Sequence, residues 1–388
     1  MTLLSPPPRA PVTTPPASLD VAARHVERRL DALLGAEVRR WARTDDDLAE
    51  PLEALRRYVL RGGKRLRPAF VHWGFVAAGG DPTDPASAAR VDDAGAAFEL
   101  LHAFALLHDD VMDGSDTRRG EPTTHIEQAA RHARDGWRGE SRRFGESVAI
   151  LVGDLAHVFA DRTMAHQPEA ARAVWRELQV ELMMGQYLDV LGTARGDRSA
   201  TKARLVVRLK SGRYTIERPL QLGAALAGVT TAPSRSAHPE GGRATPLAPD
   251  AGAAPVADVL AAYGEPLGEA FQLRDDVLGA FGVATTTGKP VGDDLREGKP
   301  TLLLAHAVDH ATPAQRARLD RVGAPDLTVD DIADLQDVLV ATGALARIER
   351  TIDALTNEAV EAVVRGGLPP EAEVALVELA HFIAGRDA

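Results

Sequence analysis

The stretch ELLHAFALLHDDVMDGSDTRRG, from Glu99 to Gly120, constrains this chain more than any other. Its first fifteen residues, up to Asp113, contain no Gly or Pro and are mostly apolar, which predicts a buried helix. The last turn then carries three carboxylates, Asp109, Asp110 and Asp113, where an apolar helix tolerates them least. At about 100° per residue Asp109 and Asp113 share one face, with His102 two turns below on the same stripe. Gly114 can end the helix, and the chain leaves through a polar SDT into Arg118 and Arg119. Carboxylates at a helix C-terminus also face the negative end of the helix dipole. Two unit charges about 4 Å apart repel by roughly 4 kcal/mol at an effective dielectric of about 20. A hard divalent cation relieves that repulsion, since oxygen ligands suit Mg²⁺, which completes its shell with water and phosphate oxygens. A solvated acidic helix end is the plainer reading of one such motif. The adjacent arginines and a second copy later in the chain favour the cation.

Composition narrows the rest. Aromatic residues make up only 4% of the 388 residues, and Ala and Leu dominate a 45% hydrophobic content, which favours helices over sheets. A net charge of −11 argues against nucleic acid as a partner. The chain has no cysteine, so disulfides and thiolate metal sites are excluded. No apolar run reaches the roughly 20 residues needed to span a bilayer. The Pro-rich N-terminus lacks the basic-then-apolar order of a signal peptide, so a cytoplasmic protein is expected.

In chain order, residues 1–18 read as a disordered Pro-rich tail and 19–388 as one domain. Helical spacing runs from about Asp20 to Arg43 and again over Leu48–Leu60. The segment RGGKRLRP follows, with Gly62 and Gly63 able to approach an anion and Lys64, Arg65 and Arg67 supplying charge beside a helix N-terminus. The helix bearing the three aspartates is expected to begin near Pro85, and a polar loop to occupy about 130–145. Helices resume with ESVAILVGDLAH and over Pro168–Leu191, the latter carrying Gln186 and Asp189, a pair that reads as an internal hydrogen bond more readily than as ligands. Lys210 and Ser211 could offer an ammonium and a hydroxyl to a phosphate. Residues 230–255 are Pro/Gly/Ala-rich and read as a mobile insertion between helices. The helix from about Val256 carries RDDVLGA, a second acidic pair in which Gly279 stands where a third carboxylate would complete the pattern. A polar loop with Lys289, Asp293, Asp294 and Lys299 follows, then about four helices over 301–387.

Taken together, GGKRLRP, LLHDDVMDGSDTRRG, GDLAH, GQYLDV, KSGRY, FQLRDDVLGAFG and TGKPVGDDLREGK, in that order, resemble the trans-isoprenyl diphosphate synthases, the polyprenyl synthetase family. The resemblance covers roughly residues 20–310. It implies an all-α bundle around a deep central cavity, a homodimer, and Mg²⁺-dependent condensation of isopentenyl diphosphate with an allylic diphosphate. It assigns Asp109, Asp113 and Asp275 to metal binding, with Asp110 alongside in the catalytic cluster. Arg118, Lys210, Ser211, Gln272, Lys289 and Lys299 match positions that hold the allylic diphosphate. Gly63, Lys64, Arg67, His102 and Arg119 match the isopentenyl diphosphate site. Gly279 departs from the family pattern and leaves the second motif to Asp275, with help from Asp276.

Product length is expected to depend on what lies below the aspartates. Phe104, five residues before Asp109, matches a family position that stops chain growth, which with Ala105 and the short DDVMD implies a geranylgeranyl product and a farnesyl product as the alternative. Helical arithmetic adds Phe98, which follows the aspartate stripe more closely and lies about 16 Å down the axis. A class I terpene cyclase needs no second diphosphate site, and a non-catalytic subunit of a hetero-oligomeric synthase would lose first-motif aspartates or basic sites. Both readings therefore fit less well.

Overall fold

The computed structural model describes residues 15–229, 254–282 and 291–386. The Pro-rich tail up to residue 14, residues 230–253 of the insertion expected over 230–255, and Lys289 lie outside the described residues. The architecture is all-α. Helices α1 (Ala17–Ala42), α2 (Glu50–Leu60), α3 (Leu66–Ala77) and α4 (Pro85–Asp113) are followed by α5 (Thr124–Arg134), α6 (Ser141–Met164) and α7 (Glu169–Arg195). Then come α8 (Ala200–Val206), a π-helix (Val207–Glu217), α9 (Arg218–Leu226) and α10 (Val256–Phe281). A short helix, Asp293–Glu297, precedes helices Leu302–His310, Pro313–Leu319, Val329–Ala341, Ala344–Arg365 and Pro370–Gly385. Among the described residues no helix is long and apolar enough to cross a membrane.

Helix α4 starts where Asp84 caps the Ser87 N–H and Pro85 fills the first turn, and it ends at Gly114 with φ +66. Between those ends Ala94, Ala97, Phe98, Leu100 and Leu101 are fully buried against α1, α3 and α6. Each large apolar side chain so buried stabilises the fold by roughly 2 kcal/mol. A second apolar cluster gathers Leu273, Val277, Leu303, Ile348 and Leu355. Helix α10 joins the two, since its Val259, Tyr263 and Leu267 belong to the first.

Two sequence expectations are corrected. The tail ends earlier than residue 18, because Ser18 already lies in α1, where its carbonyl accepts the Trp73 indole N–H at 2.8 Å. The expected loop over 130–145 shrinks to 135–140, because α5 and α6 fill its two ends. Helix α5 escaped periodicity because the face it buries is polar: Thr124, His125, Gln128 and His132. Among the described residues, those beyond 301 form five helices, in keeping with the four or so expected.

The π-helix had no sequence signal. It packs on α7 at Gly185, where a Cβ would meet the Lys210 backbone N at 2.4 Å. A buried set of charges, centred on Glu181 one turn earlier on α7, holds it as well. Arg218 donates to both Glu181 oxygens, at 2.8 and 2.6 Å, and Arg213 pairs with the same carboxylate. The wide π turn lets Lys210, Ser211, Tyr214 and Thr215 all face the interior of the bundle.

Candidate active site

A cavity of about 700 Å³ opens between α4, α7, the π-helix and α10. The sequence-derived residues Gly63, Lys64, Arg67, His102, Asp109, Arg118, Arg119, Lys210, Ser211, Gln272, Asp275 and Lys299 all line it. Asp110, Asp113, Phe98 and Phe104 do not.

The three first-motif aspartates have different surroundings. Asp109 faces the cavity, its Oδ1 accepting from Lys210 Nζ and Gln186 Nε2, each at 3.1 Å. Burial by itself would raise its pKa, but Lys210, Lys299 and Arg118 together outweigh that and hold the carboxyl well below the usual range. Asp113 lies 3.1 Å from the Lys299 ammonium, which also contacts Glu297 at 2.5 Å and Asp294 at 3.7 Å. Asp110 turns inward at 1% exposure and takes the Arg118 guanidinium at 2.6 Å. The hairpin Thr117–Arg118/Glu121–Pro122 presents that arginine. Its two-residue turn, Arg119–Gly120, has φ +55 and +77, the left-handed pair that a tight hairpin requires. Arg119 then reaches back to the Gly62 carbonyl.

A second set of lining residues is basic. Arg67 donates to Thr215 Oγ1 at 3.0 Å and lies 4.3 Å over the Tyr214 ring. Lys64 sits 5.8 Å from the Phe382 ring centre. Burial, then the neighbouring Arg386 and Arg119 charges, push the Lys64 pKa down to about 8 against the pull of Asp275. His102 is driven well below its ordinary value by burial and by Arg67, Arg119, Arg118 and Arg65, so it stays neutral. Arg65, whose backbone is left-handed at φ +50, is instead fastened to Glu99 and to the Val59 carbonyl. It ties the basic loop to α4.

Several site residues were not assigned from sequence. Gln186 and Asp189 do not form the expected internal pair, because Gln186 turns to Asp109 and Asp189 takes the Lys210 ammonium at 2.5 Å. Arg386, from the segment after the last helix, reaches in to pair with Asp275 at 2.5 Å and to stack on Phe271. No spacing rule links residue 386 to residue 275; only the tertiary fold brings them together. On α10, Gln272 donates to Asp276 Oδ1 at 2.8 Å, while Asp276 Oδ2 is buried without a hydrogen-bond partner. Burial pushes the Asp276 pKa up to about 8; Gln272 opposes the rise and nearby Asp294, Asp275 and Asp189 add to it.

These donors fit a hard divalent cation. Among the described residues no three His, Cys, Asp or Glu side chains converge closely enough to hold a metal on their own. Mg²⁺ takes one or two carboxylates and fills its shell from water and phosphate. The cluster offers only oxygen, and the buried Asp276 Oδ2 is an acceptor still to be satisfied. Cationic side chains, Lys210 between Asp109 and Asp189 and Lys299 between Asp113 and Asp294, neutralise the carboxylates in this arrangement.

Comparison with known proteins agrees with this geometry. The polyprenyl synthetase family model matches residues 49–339. Geranylfarnesyl diphosphate synthase of Aeropyrum pernix is 33% identical over 296 residues, 74% of this chain and 78% of that one. The (2E,6E)-farnesyl diphosphate synthase of Mycobacterium tuberculosis is 31% identical, covering 84% of this chain and 80% of its own. Among solved structures, a geranylgeranyl pyrophosphate synthase of Corynebacterium glutamicum, complexed with isoprenyl diphosphate and magnesium, superposes with a TM-score of 0.84. Its identity is 36%, and the match covers 95% of this chain and 99% of that one. By these matches the chain belongs to the polyprenyl synthetase family of prenyltransferases.

Proposed function

We propose that this prenyl-elongating enzyme condenses isopentenyl diphosphate with dimethylallyl, geranyl or farnesyl diphosphate, with Mg²⁺, and that its main product is geranylgeranyl diphosphate. The observation that carries the reading is a single cavity lined by two sets of polar side chains. Asp109, Lys210, Arg118 and Lys299 are one set, and Lys64, Arg67 and Arg119 are the other. The first set can take a metal diphosphate and the second a bare diphosphate. Mg²⁺ bound with the allylic diphosphate would neutralise the charge that develops as its C–O bond ionises. Lys210, Lys299 and Arg118 can turn from their carboxylates to the departing diphosphate, each supplying a charge-assisted donor. Lys64, Arg67 and Arg119 hold isopentenyl diphosphate with its double bond toward the allylic carbon, which makes the attack effectively unimolecular. Ala105, Leu106, Leu182, Val206 and Val207 line the intervening space and keep water from the cation. The proton lost after carbon–carbon bond formation goes to the departing diphosphate; no side-chain nucleophile takes part.

Product length rests on the gap between α4 and α7. Phe98 meets Trp175 of α7 edge-on at 5.4 Å, about 16 Å below Asp109 along the α4 axis. Phe104 instead faces His108 and His157 on the α6 side, with ring centres at 4.6 and 4.9 Å. Neither ring lines the cavity as it stands, and in this reading the Phe98–Trp175 pair is the barrier beneath it that stops a growing chain at twenty carbons. Exposed Leu151 and Val158 on α6, with Val180, Met184, Tyr187 and Val190 on α7, form an apolar face suited to a second copy of the chain, and light scattering should report a homodimer. The short diphosphates it would take are water-soluble, in keeping with a cytoplasmic reaction. Incubating the protein with isopentenyl diphosphate, Mg²⁺ and each primer, and resolving the products by chain length, tests the reading. A twenty-carbon main product supports it. A fifteen-carbon or longer one overturns the length assignment, and no extension of any primer overturns the substrates.

A further inference from the structure

The π-helix supplies both sets of polar residues, and it does so from positions five apart. Lys210 reaches Asp109 at 3.1 Å, while Thr215 Oγ1 accepts from Arg67 at 3.0 Å. In an α-helix, residues five apart leave the axis about 140° from one another. In a π-helix, whose hydrogen bonds join i to i+5, they lie about one turn apart on nearly one face. The same spacing recurs in Arg213 and Arg218, and the Arg218 backbone N–H donates to the Arg213 carbonyl, closing the last π turn. Both guanidinium groups meet one carboxylate, that of Glu181 on α7: Arg218 through Nε and Nη2 at 2.8 and 2.6 Å, Arg213 through Nη1. Glu217 lies 3.4 Å from Arg213 Nε and accepts from Gln221 at 3.1 Å. Glu181, Arg213, Glu217 and Arg218 are all buried, and none of them lines the cavity. Buried ion pairs are poor stabilisers compared with apolar residues of the same volume, and their best-attested use is to fix one register.

We infer that Glu181 is a positioning residue for prenyl transfer: by taking Arg213 and Arg218 together it selects the π register over the α one, and that register sets Lys210 for the allylic diphosphate and Thr215 against Arg67 for isopentenyl diphosphate. In the α register Lys210 and Thr215 would diverge, and one could keep its partner only at the expense of the other. A single buried carboxylate thus serves both substrates without touching either. This role rests on the two-diphosphate reading proposed above, so its test must separate the two.

Steady-state kinetics in both substrates, alongside thermal melting, provides the test. Glu181→Gln keeps the volume and removes the charge. The double variant Glu181→Leu/Arg218→Met removes both partners and leaves Arg213 its Glu217 contact, so no buried charge is stranded. Apolar replacement of a buried pair is often neutral for stability, so the double variant should melt close to the parent. Its kcat/KM should nevertheless fall about tenfold or more for each substrate, since a misplacement of about 1 Å can cost about 100-fold. Glu181→Gln should fall between the two. Lys210→Ala should impair the allylic substrate and Thr215→Val isopentenyl diphosphate. Adding the double change to either should cost that same substrate little more, because groups acting through one another are not additive. A double variant with parental kcat/KM for both substrates overturns the inference, whatever its melting temperature, as do losses that add in full. Should the double variant fail to fold, Glu181→Gln decides alone: a loss for both substrates supports the role, and parental kinetics overturn it. If the parent extends no primer with isopentenyl diphosphate, the two-diphosphate reading fails and this inference with it. If the parent is active and the variants match it, only this inference fails.

Discussion

Asp109 and Asp110 are neighbours in sequence, yet the structure predicts opposite consequences for their removal. Asp110 is 1% exposed and accepts Arg118 at 2.6 Å, while the arginine keeps only a 3.7 Å contact to Asp109 besides. Removing one partner of a buried ion pair costs about 3–5 kcal/mol. Arg118 is 18% exposed and has that second carboxylate, which places Asp110→Ala at the low end, about 3 kcal/mol. Asp109→Ala strands no charge. Lys210 retains Asp189 at 2.5 Å, Arg118 retains Asp110, and the Gln186 amide keeps only the weak Met112 sulfur at 3.5 Å, at a cost of about 1 kcal/mol. Thermal unfolding followed by circular dichroism, alongside turnover with Mg²⁺, measures both effects. Asp110→Ala should melt several degrees below the parent. Asp109→Ala should melt close to the parent yet lose turnover by orders of magnitude. A parental melt in Asp110→Ala together with a large drop in Asp109→Ala would refute this division of labour.

Gly185→Ala drives a methyl group to within 2.4 Å of the Lys210 backbone N, so it should destabilise by about 1–3 kcal/mol and weaken allylic substrate binding, both readable by melting and by KM. Lys64 of the free enzyme loses its charge as pH rises through about 8, and a diphosphate prefers the charged form, so KM for isopentenyl diphosphate should climb above that pH. Arg386→Gln removes a positive neighbour and should move that break upward; an unmoved break would show that Lys64 is not the group titrating. Phe98→Ala should lengthen the product distribution and Phe104→Ala should leave it nearly unchanged, with the reverse pattern locating the floor at Phe104 instead.

Some of this architecture could be read from the chain and some could not. Helix α4 was legible because its limits are marked by Pro85 and Gly114 and its interior holds no proline, so helical spacing alone placed Asp109 and His102 on one stripe that the cavity confirms. The basic groups were legible because runs such as GGKRLRP and DTRRG concentrate charge beside glycine turns. Helix α5 was hidden because it buries Thr, His and Gln in place of an apolar stripe. The π-helix was hidden because its widened turn depends on a glycine contact with α7 and on the Glu181 carboxylate, both far away in sequence. Arg386 and Asp294 belong to the same class. Each reaches its acidic neighbours from another element, and no local pattern encodes such a meeting.

The central claim is that one chain holds two different diphosphates at once, and a binding titration tests it most directly. The protein is loaded with Mg²⁺ and an allylic thiolodiphosphate that resists ionisation, and isopentenyl diphosphate is titrated in calorimetrically. One equivalent should bind per chain without displacing the analogue, and Lys64→Ala should weaken only this second event. Displacement of the analogue by isopentenyl diphosphate, or no second binding event in the parent protein, would contradict it.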